Sequence, residues 1–162
     1  LAQEAKVAAE KSPKHLAVLA GDSLSLWFPG DLLPSDHIWL NQGISGETSG
    51  GLLKRLNLFD PTQPEVIFVM IGINDLIRGL PDETLLANQR EIIRYLRQTH
   101  PNSQIVVQSI LPHAGAAASW QGRDRLQDIP NDRIRALNRE LAEIASSEQV
   151  NFLDLHPLFT NS

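Results

Sequence analysis

Cysteine is absent from the 162 residues, and methionine and tyrosine occur once each. Without a thiol, disulfide staples, thiolate nucleophiles and cysteine-type zinc sites are excluded, and the redox compartment is not readable. Positive charge is also short. The 14 Lys and Arg face 19 Asp and Glu, a formal net charge of −5, and the isoelectric point is near 5.5. No Lys/Arg cluster or basic helix stands out, so a nucleic-acid partner is not expected. No apolar run approaches the roughly 18 residues of a membrane span, so no integral membrane segment is expected. There is no Gly-x-Gly-x-x-Gly for a dinucleotide and no histidine pair with metal spacing, so neither cofactor nor metal is expected. Internal repeats, linkers and low-complexity segments are missing too.

The remaining composition, 42% hydrophobic and 20% charged, is that of a globular chain able to bury a core without staples. One domain spanning residues 1–162 is expected at this length. The chain opens at Leu1 rather than Met, which reads as a processed or trimmed product. A signal peptide already removed would look the same, so localisation stays open.

The chain is organised around Leu16–Phe28. Leu16–Ala20 has the length and aliphatic content of a buried strand, and it stops at Gly21-Asp22-Ser23. A serine just past the C-terminal end of a central parallel strand lies where open α/β sheets bind ligands. With a helix from Leu24, its N–H faces outward as an oxyanion donor. A plain βα turn capped by Asp22 or Ser23 explains the same residues.

Around this stretch, strands and helices alternate. A peripheral helix over residues 1–12 ends at Pro13. Leu24–Pro34 reads as a short helix and irregular loop, with Trp27 and Phe28 placed to line an acyl pocket or simply the core. His37–Asn41 is the second strand, and Thr48–Phe59 carries Leu52, Leu53, Leu56 and Phe59 at helical spacing. Gly46 therefore sits just before a helix, suited to a second oxyanion donor or needed only as a loop glycine. Glu65–Ile71 is apolar at nearly every position, as expected when both sheet faces are covered. It delivers Gly72-Ile73-Asn74-Asp75 to the same edge as Ser23. There the Asn74 amide can donate to a tetrahedral intermediate, or serve as a turn and helix cap.

A helix from Pro81 and Asp82 runs to Pro101, a strand covers Gln104–Leu111, a helix Asn131–Glu148 and a strand Val150–Leu155. Five strands alternating with helices give an α/β fold, a three-layer α/β/α sandwich around a doubly wound parallel sheet. The long polar stretch His113–Ile129 is the candidate substrate-selecting loop.

Gly21-Asp22-Ser23-Leu24, Asn41-Gln42-Gly43-Ile44-Ser45-Gly46-Glu47-Thr48 and Gly72-Ile73-Asn74-Asp75 resemble, in order and spacing, three sequence blocks of the GDSL, or SGNH, hydrolases. The resemblance covers residues 15–112 well and the remainder loosely. It implies a serine esterase or lipase of the flavodoxin-like SGNH architecture. Ser23 would be the nucleophile, and the Ser23 N–H, Gly46 N–H and Asn74 amide the oxyanion hole. The substrate would be a small ester: an aryl or acyl ester, a lysophospholipid, a thioester or an acetylated sugar.

One part of the pattern is missing. The family draws its base and orienting carboxylate from an Asp-x-x-His motif, whereas this chain has Asp154-Leu155-His156-Pro157. If the last strand continues through them, Asp154 and His156 project from one face. The expectation is that the domain lacks its C-terminal segment and that the catalytic Asp and His lie beyond Ser162, ahead of His156 and then His113 as the base. A catalytically silent ester- or glycan-binding domain is the alternative. FMN-binding and phosphoacceptor modules share the fold but not these motifs.

Overall fold

The computed structural model describes residues 1–114 and 123–160. Five strands form one all-parallel sheet in the order β2-β1-β3-β4-β5. They are β1 Leu16–Gly21, β2 Ile38–Gly43, β3 Val66–Met70, β4 Gln104–Gln108 and β5 Asn151–Leu153. Strand order reverses between β1 and β3, which puts a crevice at their C-terminal ends. Leu16 pairs with Ile38 and Ala17 with Val66, so β1 is the central reference of the register.

The helices are α1 Ala2–Lys11, α2 Ser23–Leu26, α3 Ser49–Arg55, α4 Ile73–Ile77, α5 Asp82–Thr99 and α6 Asn131–Ser147. Most agree with the sequence periodicity to within a few residues. The segment expected as one helix to Phe59 instead tightens into a 3₁₀ turn over Leu56–Phe59. The short α4 after β3 lies where only a turn or cap is expected, because five residues are too few to show a period. Among the described residues, no helix is long and apolar enough to cross a membrane.

The two faces of the sheet are covered unequally. On one, Leu16, Val18, Ala20, Ile67, Val69, Ile105 and Val107 pack against Ala5 of α1, Leu52 of α3, Ile92, Ile93 and Leu96 of α5, and Ile144 of α6. Full burial of each such side chain contributes about 1.5–3 kcal/mol. The other face presents Ala17, Val66 and Val106 with the half-buried Trp39 and Phe68. Its helical layer is thin, because α2 has only four residues. β3 is consequently buried at Val66, Ile67 and Val69 but only partly at Phe68 and Met70, short of the two-sided burial its composition suggests. α2 lies very close to this face. A Cβ added at Gly43 would sit 2.4 Å from the Leu26 backbone nitrogen, so only glycine admits the helix there.

Candidate active site

The loops after β2, β1 and β3 meet at the crevice. Asp22 caps α2, its carboxylate accepting from the Leu24 N–H at 2.9 Å, and Ser23 is the first helical residue. The capping explanation of Asp22 therefore holds, and Ser23 beside it is half-buried. Neither the Ser23 nor the Gly46 N–H donates to another described residue, and the Ser23 hydroxyl has no hydrogen-bond partner among them. Gly46 adopts φ of +75°, a left-handed conformation that favours glycine. Its carbonyl accepts from Arg78 at 2.7 Å.

Asn74, in the first turn of α4, joins the three loops. Its Nδ2 donates to the Glu47 carbonyl at 3.0 Å and lies 3.5 Å from Asp22 Oδ2. The residues next to Gly46 and Ser23 are thus both tied to Asn74. Beneath them, Arg55 donates to Glu47 Oε2 at 2.5 Å and to the Gly21 carbonyl at 3.1 Å.

Two buried carboxylates support the loops: Asp22, already expected as a cap, and Asp75, whose role is not visible in the sequence spacing. Asp22 is 1% exposed. Burial pushes its carboxyl up to about 6, against the opposing Leu24 N–H, with Asp75 and Glu47 adding negative charge nearby. Asp75, fully buried, accepts from the Ser49 N–H at 2.8 Å and the Ser49 hydroxyl at 2.5 Å. Asn88 donates to that hydroxyl at 3.0 Å. Asp75 thereby fixes the start of α3 against α4, the short helix that carries Asn74. Its position beside Asn74 in the third motif was the one available signal.

The histidines lie elsewhere. β5 ends at Leu153 and a 3₁₀ turn begins at His156, so Asp154 and His156 do not share a strand face. Asp154 Oδ1 instead accepts the His156 N–H at 3.1 Å, and Ser109 Oγ accepts the same N–H at 3.0 Å. The buried His156 lines a cavity of about 210 Å³ with Arg135, Asn138 and Arg139 of α6. Burial and Arg135 hold its pKa below the ordinary value. β3 and β4 separate it from β1, about 14 Å at ordinary strand spacing. His113 Nε2 contacts the Ile129 carbonyl, and its N–H donates to Asn131 Oδ1 at 3.2 Å. Among the described residues, neither ring hydrogen-bonds to Ser23. Of the candidate substrate loop, residues 115–122 lie outside the described residues.

The aromatic pair divides. Phe28 lines an apolar cavity of about 370 Å³ with Leu19, Leu24, Phe68 and Met70, whereas Trp27 is 70% exposed. Ser23 is not among the lining residues, though Ser25 is.

Comparison with known proteins places the chain in a family. The family model described as the GDSL-like Lipase/Acylhydrolase family matches residues 19–162. An arylesterase of Vibrio mimicus is 29% identical over 126 residues, covering 67% of this chain and 61% of that protein. The match thus spans less than two thirds of that relative's length. A provisionally described platelet activating factor protein from Streptococcus pneumonia superposes with a TM-score of 0.77 at 24% identity, over 99% of this chain and 77% of that one. The psychrotrophic esterase EstA of Pseudoalteromonas sp., solved inhibited by monoethylphosphonate, gives 0.63 at 20% identity over 88% and 78%. At these identities the structural likeness establishes the fold.

Proposed function

The chain belongs to the GDSL-like lipase/acylhydrolase family, and on that premise we propose that it hydrolyses small carboxylic esters through an acyl-enzyme on Ser23. The Ser23 oxygen attacks the ester carbonyl and passes its proton to a base. The tetrahedral oxyanion rests on the Ser23 N–H, the Gly46 N–H and the Asn74 amide. Collapse expels the alcohol, which takes the proton from the base, and water, deprotonated by the base so regenerated, releases the acid. The observation that carries this reading is Asn74. Its Nδ2 commits one N–H to the Glu47 carbonyl at 3.0 Å and makes only a long 3.5 Å contact to Asp22 Oδ2, so it gathers the segments that bear the proposed groups and keeps its second N–H for the oxyanion. The unspent N–H groups of Ser23 and Gly46 support it. Leu24 and Phe28, next to Ser23 in the chain, line an apolar cavity that Ser23 itself does not, and the apolar character of these neighbours favours an acyl ester.

The second reading, a binding domain without turnover, draws on the histidines. His156 packs against α6, and His113 is engaged with Ile129 and Asn131. A serine hydroxyl without a base is a poor nucleophile.

Initial rates on an aryl ester decide between the two readings, measured for this chain, for the longer gene product where one exists, and for Ser23→Ala in each. Turnover abolished by Ser23→Ala in either form supports the hydrolase. Activity of the longer form alone would place the Asp–His pair outside residues 1–162. Turnover that survives Ser23→Ala overturns the proposal. Saturable ester binding seen by ligand-observed NMR, with no turnover in any form, supports the silent domain.

A further inference from the structure

The opposite edge of the sheet carries a cluster that the ester chemistry does not use. His15 precedes β1, His37 precedes β2 and Glu65 precedes β3, so three adjacent parallel strands each present one side chain at their N-terminal ends. His15 Nδ1 lies 2.7 Å from Glu65 Oε2, and His37 Nε2 lies 3.5 Å from the same oxygen. The three ligand atoms fall within 4.8 Å of one another. The imidazole rings meet edge to face with centroids 5.7 Å apart.

We propose that His15, His37 and Glu65 form a binding site for a divalent d-block cation, with zinc the best match. Two imidazole nitrogens and one carboxylate oxygen are donors that zinc takes, whereas magnesium and calcium prefer all-oxygen sets. In a tetrahedral zinc site, with bonds near 2.0–2.2 Å, ligand atoms stand about 3.4 Å apart. The His37–Glu65 separation already meets that spacing. The His15–Glu65 contact must open by under about 1 Å, and the two histidine nitrogens, which lie within 4.8 Å of each other, must close by up to about 1.4 Å, shifts that fall on side chains half-exposed at His15 and Glu65.

The surroundings are built for this use. Asp36 Oδ1 lies 2.9 Å from His37 Nδ1 and so turns Nε2 toward Glu65, the carboxylate–histidine arrangement that orients metal ligands. The backbones are held as well. The Ile38 N–H donates to the His15 carbonyl at 2.8 Å, and the Glu65 N–H donates to the Leu16 carbonyl at 2.8 Å. Exposure of His15 and Glu65, each 52%, leaves a fourth position for water. The ligands are 22 and 28 residues apart in the chain, so no short-range spacing reveals them. Only the parallel register brings them together. The site lies a strand length from Ser23, about 20 Å at 3.3 Å per residue, and its cation would clip three strands rather than take part in ester cleavage.

Isothermal titration of tag-free, chelator-stripped protein with zinc chloride tests the proposal, together with the visible spectrum of the cobalt(II) form. The expected result is one-to-one binding with a four-coordinate cobalt spectrum and a zinc-dependent rise in Tm. His15→Ala and Glu65→Gln should each weaken binding at least about tenfold and remove the Tm rise, and Asp36→Asn should weaken it about 10–100-fold. These exposed substitutions are checked for native circular dichroism. Dissociation constants weaker than about 1 mM, or stoichiometric binding that survives loss of both His15 and Glu65, would overturn the site and reduce the cluster to ion pairs.

Discussion

Replacing Asp22 with Asn should stabilise the protein at alkaline pH and not at acid pH. Burial raises the folded-state pKa from 3.8 to about 6. The folded state therefore binds the proton more tightly than the unfolded chain, and stability falls as pH rises through that window. Above it the full interval applies, a cost of about 3 kcal/mol for keeping the buried carboxylate ionised. Near pH 4 the unfolded carboxyl is itself only about half ionised while the folded one is protonated, and the cost shrinks to about 0.5 kcal/mol. An Asn amide oxygen preserves the cap to the Leu24 N–H, but its NH2 would face Asn74 Nδ2, now 3.5 Å from the carboxylate. A net gain of about 2 kcal/mol near pH 8 is expected, vanishing near pH 4. Urea unfolding at both pH values reads it as an upward midpoint shift of about 1 M at the higher pH alone. Equal effects at the two pH values, or destabilisation near pH 8, would refute burial as the cause.

Gly43→Ala should cost about 2–3 kcal/mol in urea unfolding, because the added methyl meets the Leu26 backbone at 2.4 Å and must push α2, with Ser23, off the sheet. Ser49→Ala leaves the buried Asp75 with one donor in place of two. Its expected cost is about 1–3 kcal/mol by the same assay, and Ser49→Thr should recover part of it. In any ester-hydrolysing form, Asn74→Ala should lower kcat about 10²–10³-fold. Unchanged kcat would remove Asn74 from the oxyanion hole.

Much of this fold is legible in the chain because the long helices have strong periods. Ile92, Ile93 and Leu96 of α5 mark the buried stripe, and the apolar run at Val66–Met70 marks a strand. Short elements are less so. α4 has no room for a period, and β5 stops at Leu153 because Ser109 Oγ and Asp154 draw the following N–H groups into a turn. The site divides in the same way. Gly-Asp-Ser, Gly46 and Asn74 advertise themselves by local motif. The support from Asp75 through Ser49, and the cluster of His15, His37 and Glu65, arise from contacts 22 to 50 residues apart. Such contacts follow from parallel register, which no local spacing encodes.

The proposal for Ser23 is tested most directly by reacting the protein, and its longer gene product where one exists, with a fluorophosphonate and locating the adduct by peptide mass spectrometry. A phosphonate is apt because monoethylphosphonate inhibits the Pseudoalteromonas esterase. Attack by the serine oxygen displaces fluoride and leaves a stable phosphonyl ester on the nucleophile. The expected result is a single adduct on the peptide containing Ser23, absent from Ser23→Ala and slowed in Asn74→Ala. An adduct on a different residue, or a fully folded longer form that stays unlabelled at Ser23, would contradict Ser23 as the nucleophile.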